Sequence, residues 1–217
     1  MKYYKLRFDV NKNVLKEVPD YTGRESDIRD ISEFNSLDNI PNFKPYLSNF
    51  IIKDKFQNVD ILDLDLNSGF IISSKFKNIL LKLNLPEHRF YEADVFTTKG
   101  EKVGFHYLFL VNNFFNLLDS DRTQFYGMDW YDNKLTDSFL IKNEKDIVSL
   151  YEKFEENNID VEVIKSDLYL LNQKVDLIRC DIECCFLISE RLKYEIEEND
   201  LENIVISDKC YAENLNW

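Results

Sequence analysis

Glycine and proline are scarce, five and four in 217 residues. The glycines (Gly23, Gly69, Gly100, Gly104, Gly127) are too dispersed for a P-loop or a dinucleotide-binding fingerprint, both of which need clustered glycines at a helix start. A nucleophile elbow, G-x-S-x-G, is absent as well. Histidine occurs twice, at His88 and His106, so the usual acid–base side chain is nearly missing. The four cysteines (Cys180, Cys184, Cys185, Cys210) lack the paired C-x2-C spacing of common zinc sites, and buried thiols without a metal are expected. Only two alanines occur, a bias of the kind an AT-rich genome produces. No apolar run approaches the roughly 18–20 residues of a membrane span. Residues 1–8 hold no apolar stretch of signal-peptide length, so a cytoplasmic protein is expected.

Acids and aromatics are abundant. Forty Asp and Glu face 27 Lys and Arg, for a formal net charge of −13. That balance argues against nucleic acid as a partner, because phosphate binding rests on Lys and Arg. Residues 1–112 hold 16 of each sign, whereas residues 113–217 hold 24 acids and 11 bases, so the whole excess lies in the second half. A surface docking a cationic partner and a merely solubilising surface both fit this asymmetry. Length and composition fit one domain over 1–217, with a division into a neutral lobe (1–112) and an acidic lobe (113–217) as the other arrangement.

Periodicity predicts an α+β fold of mixed, mostly antiparallel sheets with amphipathic helices. Alternation predicts strands over 2–10, 59–66, 88–96, 103–111, 135–141, 159–165, 174–180 and 203–207, and the short apolar runs at 70–72 and 185–188 add two more. Lys99-Gly100 marks a hairpin turn. Phe76, Ile79, Leu80 and Leu83 form a helical stripe after Ser73, a natural N-cap, and Ile147, Leu150, Tyr151 and Phe154 form another after Asn143. Short helices are expected at 28–34 and 44–50, and a longer one from 189 to 199.

Two segments echo each other 116 residues apart. Phe70-Ile71-Ile72-Ser73-Ser74-Lys75-Phe76-Lys77 aligns with Phe186-Leu187-Ile188-Ser189-Glu190-Arg191-Leu192-Lys193. Two related strand–helix–strand units, around 70–96 and 186–207, would produce this pattern. So would two unrelated strands that each lead into a Ser-capped helix.

Few residues offer chemistry. His106 lies between Phe105 and Tyr107 in a predicted strand, and His88 follows Pro86-Glu87. Asp63 with Asp65, and Glu195 with Glu197 and Glu198, read as solvated acids. Asp119-Ser120-Asp121 lacks the rest of a calcium loop. No metal or cofactor is expected. The most informative stretch is 119–132, where acids interleave with aromatics. Asp119, Asp121, Asp129, Trp130, Tyr131 and Asp132 are the candidate partner-binding residues, since Trp and Tyr concentrate interface energy and acids steer a basic partner. The competing reading makes Phe125, Tyr126 and Trp130 core anchors.

Gly69 to Leu80 with His88-Arg89-Phe90-Tyr91, and Phe186 to Lys193 with Leu201-Glu202-Asn203-Ile204, resemble the immunity-protein-eleven family of bacterial polymorphic toxin systems. The likeness spans about residues 60–208, and in that family an Ile-Ser-Glu-Arg-Leu-Lys segment similarly closes the domain. It implies a cytoplasmic antidote that binds and neutralises a cognate toxin stoichiometrically, without catalysis, with Ser73 and Ser189 carried over as structural helix caps. A basic toxin would suit the acidic half. The sequence leaves two alternatives, a scaffold module unrelated to toxins and a small enzyme using His88 or His106. Oligomeric state is not readable from it.

Overall fold

The computed structural model describes residues 1–8, 14–16, 28–29, 39–45, 47, 50–52, 59–62, 69–111, 114–129, 131, 133–180 and 182–214. In chain order the elements are β1 (Lys2–Phe8), β2 (Val14–Lys16), β3 (Ile28–Arg29), β4 (Lys44–Pro45), β5 (Phe50–Ile52), β6 (Ile61–Leu62), β7 (Gly69–Ser73) and α1 (Ser74–Leu80). The hairpin of β8 (His88–Thr97) and β9 (Lys102–Leu110) follows, then α2 (Phe114–Leu117), β10 (Tyr126–Met128), α3 (Glu144–Glu156), β11 (Val163–Lys165) and β12 (Tyr169–Leu171). The chain continues through β13 (Leu177–Cys180), β14 (Cys185–Ser189), α4 (Glu190–Glu198) and β15 (Ile204–Asn214). The fold is α+β, with mixed, mostly antiparallel sheets. Its two large sheets run β2-β5-β8-β9-β7-β6 and β12-β15-β1-β14-β13.

The 116-residue echo is a structural duplication. The run β6-β7-β9-β8-β5 matches β13-β14-β1-β15-β12, with three antiparallel junctions followed by one parallel junction in each. Registers agree between the β6–β7 and β13–β14 pairs, whereas β1–β15 carries two register shifts that β8–β9 lacks. Ile61 pairs with Ile72 as Leu177 pairs with Ile188, and Leu62 pairs with Ile71 as Ile178 pairs with Leu187. The middle strand differs in origin: β9 directly follows β8 in the first unit, whereas β1, from the start of the chain, fills that place in the second. A strand from the neutral half therefore lies inside the sheet of the acidic half. The two alanines fall at matched places, Ala93 opposite Phe105 and Ala212 opposite Tyr3. Both are fully buried, a small side chain set across from a ring in each sheet.

The helices α1 and α4 and the facing strands close on one shared core. Phe70, Ile72, Phe76 and Leu108 of one side meet Leu6, Leu177, Phe186, Ile188, Leu192 and Ile196 of the other side. Phe70 and Phe186, counterparts in the echo, meet edge to face with ring centroids 4.8 Å apart. Contact between equivalent residues is what an approximate two-fold axis requires. A second cluster packs the outer face of the first sheet, and a third lies between the second sheet and the α2–α3–β10–β11 layer.

Two buried aspartates tie the units together reciprocally. Ser73 Oγ donates to Asp60 Oδ1 at 2.5 Å and accepts from the Phe76 N–H, capping α1. Ser189 Oγ donates to Asp176 Oδ1 at 2.5 Å and accepts from the Leu192 N–H, capping α4. The second carboxylate oxygen reaches across. Asp60 Oδ2 accepts from the Glu202 N–H after α4, and Asp176 Oδ2 accepts from the Asn84 N–H after α1. The aspartate N–H groups return the bond to the carbonyls of Glu202 and Asn84. Ser73 and Ser189 are therefore caps, and each is also held by a carboxylate that grips the opposite unit.

Several predicted elements shift. Residues 44–50 were expected as helix but give β4, paired in parallel with β3, and the start of β5. Leu47 and Phe50 are buried there, so tertiary packing overrides local pattern. Ile28–Arg29 is strand, and 30–34 lie outside the described residues. Of the 59–66 strand only Ile61–Leu62 are strand, Val59 and Asp60 are not, and 63–66 lie outside the described residues. Residues 135–141 make one isolated bridge, Phe139 with Phe125, rather than a strand. The 159–165 and 174–180 strands shorten to β11 and β13, whereas the 203–207 strand lengthens to Asn214.

Candidate interaction surface

Residues 119–129 run over the outside of the second sheet, where Phe125 packs against Tyr169 of β12. The Asp119 carbonyl accepts from the Thr123 N–H at 2.9 Å, its N–H donates to the Leu170 carbonyl, and its carboxylate lies 3.6 Å from Arg122. Asp121 is exposed, 3.7 Å from the Lys142 ammonium. Phe125 is fully buried, exchanges main-chain hydrogen bonds with Phe139 and packs edge-on to Tyr169. It is a core anchor. Tyr126 is half-buried, donates to Asp167 Oδ1 at 2.6 Å, and carries the Lys134 ammonium over its ring.

Asp129 builds the loop after β10. One carboxylate oxygen accepts from the N–H groups of Tyr131 and Asn133, and the other accepts from the Asn133 side chain. The Asn133 side chain and then its main chain pull the carboxyl below its ordinary value. This turn presents Tyr131 at 86% exposure. Asp119 and Asp121 thus stand at one end of β10, and Asp129 with Tyr131 at the other. Trp130 and Asp132 lie outside the described residues.

Sequence reasoning missed what lies beside them. Lys5, Arg7, Lys165 and Lys209 converge with Tyr126 and Tyr211 on a cleft of about 420 Å³. The Lys5 and Lys209 ammonium groups lie 5.6 and 5.2 Å from the centre of the Tyr211 ring. Glu183 also lines the cleft, but it is engaged by Lys5 at 3.0 Å and by the Tyr169 hydroxyl. The alternation of Lys5 and Arg7 was visible in the sequence; the placement of β1 against the acidic half was not. The surface is therefore mixed in sign, with carboxylates on the β10 loops and cations in the adjoining cleft.

The histidines are built into strands. His106 is half-buried, with Nε2 3.2 Å from Ser74 Oγ and Nδ1 3.4 Å from the Lys77 ammonium. Burial first, and Lys77 second, lower its pKa. An ammonium can only donate, so Nδ1 accepts and Nε2–H donates to Ser74, whose proton goes to the Gly104 carbonyl. That tautomer cannot take the serine proton as a general base would. The matching pair in the second unit is Lys193 over the Tyr4 ring, 4.4 Å away, so the contact has a packing counterpart. His88 Nδ1 faces the Pro86 carbonyl at 2.8 Å. Among the described residues, no group of three or more His, Cys, Asp or Glu gathers to hold a metal ion, and no helix is long and apolar enough to cross a membrane.

No protein-family model matches the chain, and no curated protein matches it.

Proposed function

We propose that this protein is a cytoplasmic immunity protein that neutralises a cognate toxin of a bacterial polymorphic toxin system by stoichiometric binding, without catalysis. The observation that carries the reading is the Asp129 turn, whose three hydrogen bonds fix a loop that leaves Tyr131 almost wholly in water. A pre-ordered aromatic amid carboxylates suits an interface hot spot, because little entropy remains to be lost on binding. The resemblance around the two Ser-capped helices supplies the toxin-neutralising class.

The test is co-expression with the toxin-like product of the neighbouring reading frame, followed by calorimetry on the purified pair. Rescue of growth and a one-to-one complex are expected. Tyr131→Ala should weaken binding about 30-fold, the size of a hot-spot truncation. Asp121→Lys should slow association several-fold at low salt, with the difference fading near ~0.5 M salt as screening sets in. An Asp121→Lys rate equal to wild type at low salt would remove the steering role.

The non-catalytic part has its own check. Replacing His88 and His106 together by Ala should leave protection of toxin-producing cells intact. Loss of protection in a variant with an unchanged circular dichroism spectrum would point to an enzyme.

A further inference from the structure

Cys180 ends β13 and Cys185 begins β14, and the two are directly opposed in the antiparallel register. Opposed residues of such a pair have Cα atoms about 4.5–5.5 Å apart, inside the range a disulfide spans. Both are reduced thiols in this structure.

Their surroundings differ. Cys180 is fully buried, whereas Cys185 is half-buried. The Cys180 S–H donates to the Cys185 sulfur, and this bond, aided by the Lys5 ammonium, lowers the Cys185 pKa against the opposing effect of burial. Burial pushes the Cys180 thiol up. Lys5 is opposed to Leu187, two residues along β14 from Cys185, so Lys5 and Cys185 share a sheet face. Lys5 also lines the cationic cleft, as does Glu183, two residues before Cys185.

We propose that Cys180 and Cys185 form a thiol–disulfide pair oxidised by hydroperoxides, with Cys185 the attacking thiol and Cys180 the resolving one. The Cys185 thiolate attacks the terminal peroxide oxygen and breaks the O–O bond. This gives a sulfenic acid on Cys185, and the departing oxygen leaves as alkoxide, or as hydroxide from hydrogen peroxide, taking up a proton to become an alcohol or water. Cys180 then attacks the Cys185 sulfur. Its proton and the sulfenic hydroxyl leave as water, and the S–S bond forms. Two thiols lose two electrons in total, and one peroxide gains them. The fully buried partner reacts second because peroxide reaches only the half-buried Cys185. The product staples β13 to β14 beside the cleft, within the sheet that β1 completes.

The experiment treats the reduced full-length protein with hydrogen peroxide, alkylates it and maps peptides by mass spectrometry without reductant. A Cys180–Cys185 linkage is expected in wild type and in Cys184→Ser. Cys180→Ser should stop at a Cys185 sulfenic acid that a 1,3-diketone reagent traps, an outcome that a merely structural thiol would not give. Lys5→Gln should slow the first step about fivefold at pH 7 by lowering the thiolate fraction. First oxidation at Cys184 or Cys210, or a linkage that pairs Cys184 in place of Cys185, would overturn the proposal. So would failure of wild type to form any linkage while its Cys185 oxidises.

Discussion

Asp176→Ala is expected to cost about 4 kcal/mol of stability and to lower Tm by about 10 °C. The carboxylate is buried and accepts two strong donors, the Ser189 hydroxyl and the Asn84 N–H. Removing it strands both. The hydroxyl that caps α4 loses the carboxylate that orients it, and the turn after α1 loses its tie to the second unit. The buried Ser189 hydroxyl, once stranded, costs about 1–3 kcal/mol, more than the net gain from making an ordinary hydrogen bond, and the N–H of the exposed Asn84 adds the loss of its own bond. Arg191 lies 3.9 Å from the same carboxylate but is largely exposed, so it adds little. Asp176→Asn should lose less, since its carbonyl oxygen still accepts one of the two donors. Asp60→Ala should be milder than Asp176→Ala, because Ser73 is only half-buried where Ser189 is fully buried. Urea unfolding at constant m-value measures all three. A loss under ~1 kcal/mol for Asp176→Ala would mean that the carboxylate does not bridge the units.

The local parts of this arrangement were legible in the sequence. A serine before a helical stripe announces its cap, and both Ser73 and Ser189 accept the predicted N–H. Asn143 and Asp146 complete a capping box on α3, and the hairpin turns at Lys99-Gly100. The 116-residue echo was visible because it preserves the strand–cap–helix order. Its partners in space were not. Nothing local in residues 2–8 says that they replace a strand lying between 102 and 110 in the other unit. The aspartates were invisible for the same reason, standing 13 residues ahead of their serines and gripping turns from the far unit. The two alanines read as compositional bias until the registers placed each against a ring. At the candidate surface, Phe125 proved to be core because its neighbours Phe139 and Tyr169 arrive from later segments. The Asp129 turn needed only Asn133, four residues on, and a search for Asx turns would have found it.

Gly69→Ala is expected to destabilise the first sheet by about 3 kcal/mol or more, the upper range for forced overpacking. A Cβ at Gly69 would stand 1.8 Å from the Leu108 carbonyl oxygen and 2.9 Å from its carbon. These are main-chain atoms of β9, so relief requires moving a strand that is paired on both sides. Two other glycines separate steric from conformational causes. Gly100 has φ +80° and open space around its Cβ position, so Gly100→Ala should cost about 1 kcal/mol through the left-handed backbone alone. Gly104→Ala would meet Ser74 Oγ at 2.7 Å, a hydroxyl that can rotate away, and should cost less than Gly69→Ala. The counterpart of Gly69 in the duplicated unit is Cys185, which carries a side chain and precedes Phe186, the first β14 residue paired with β1. The two sheets are thus built on one plan with different clearance at this point. Urea midpoints in the order wild type, Gly100→Ala and Gly69→Ala, from highest to lowest, are expected. Equal losses at 69 and 100 would mean that β9 yields, and that the close approach at Gly69 is no constraint on the duplicated plan.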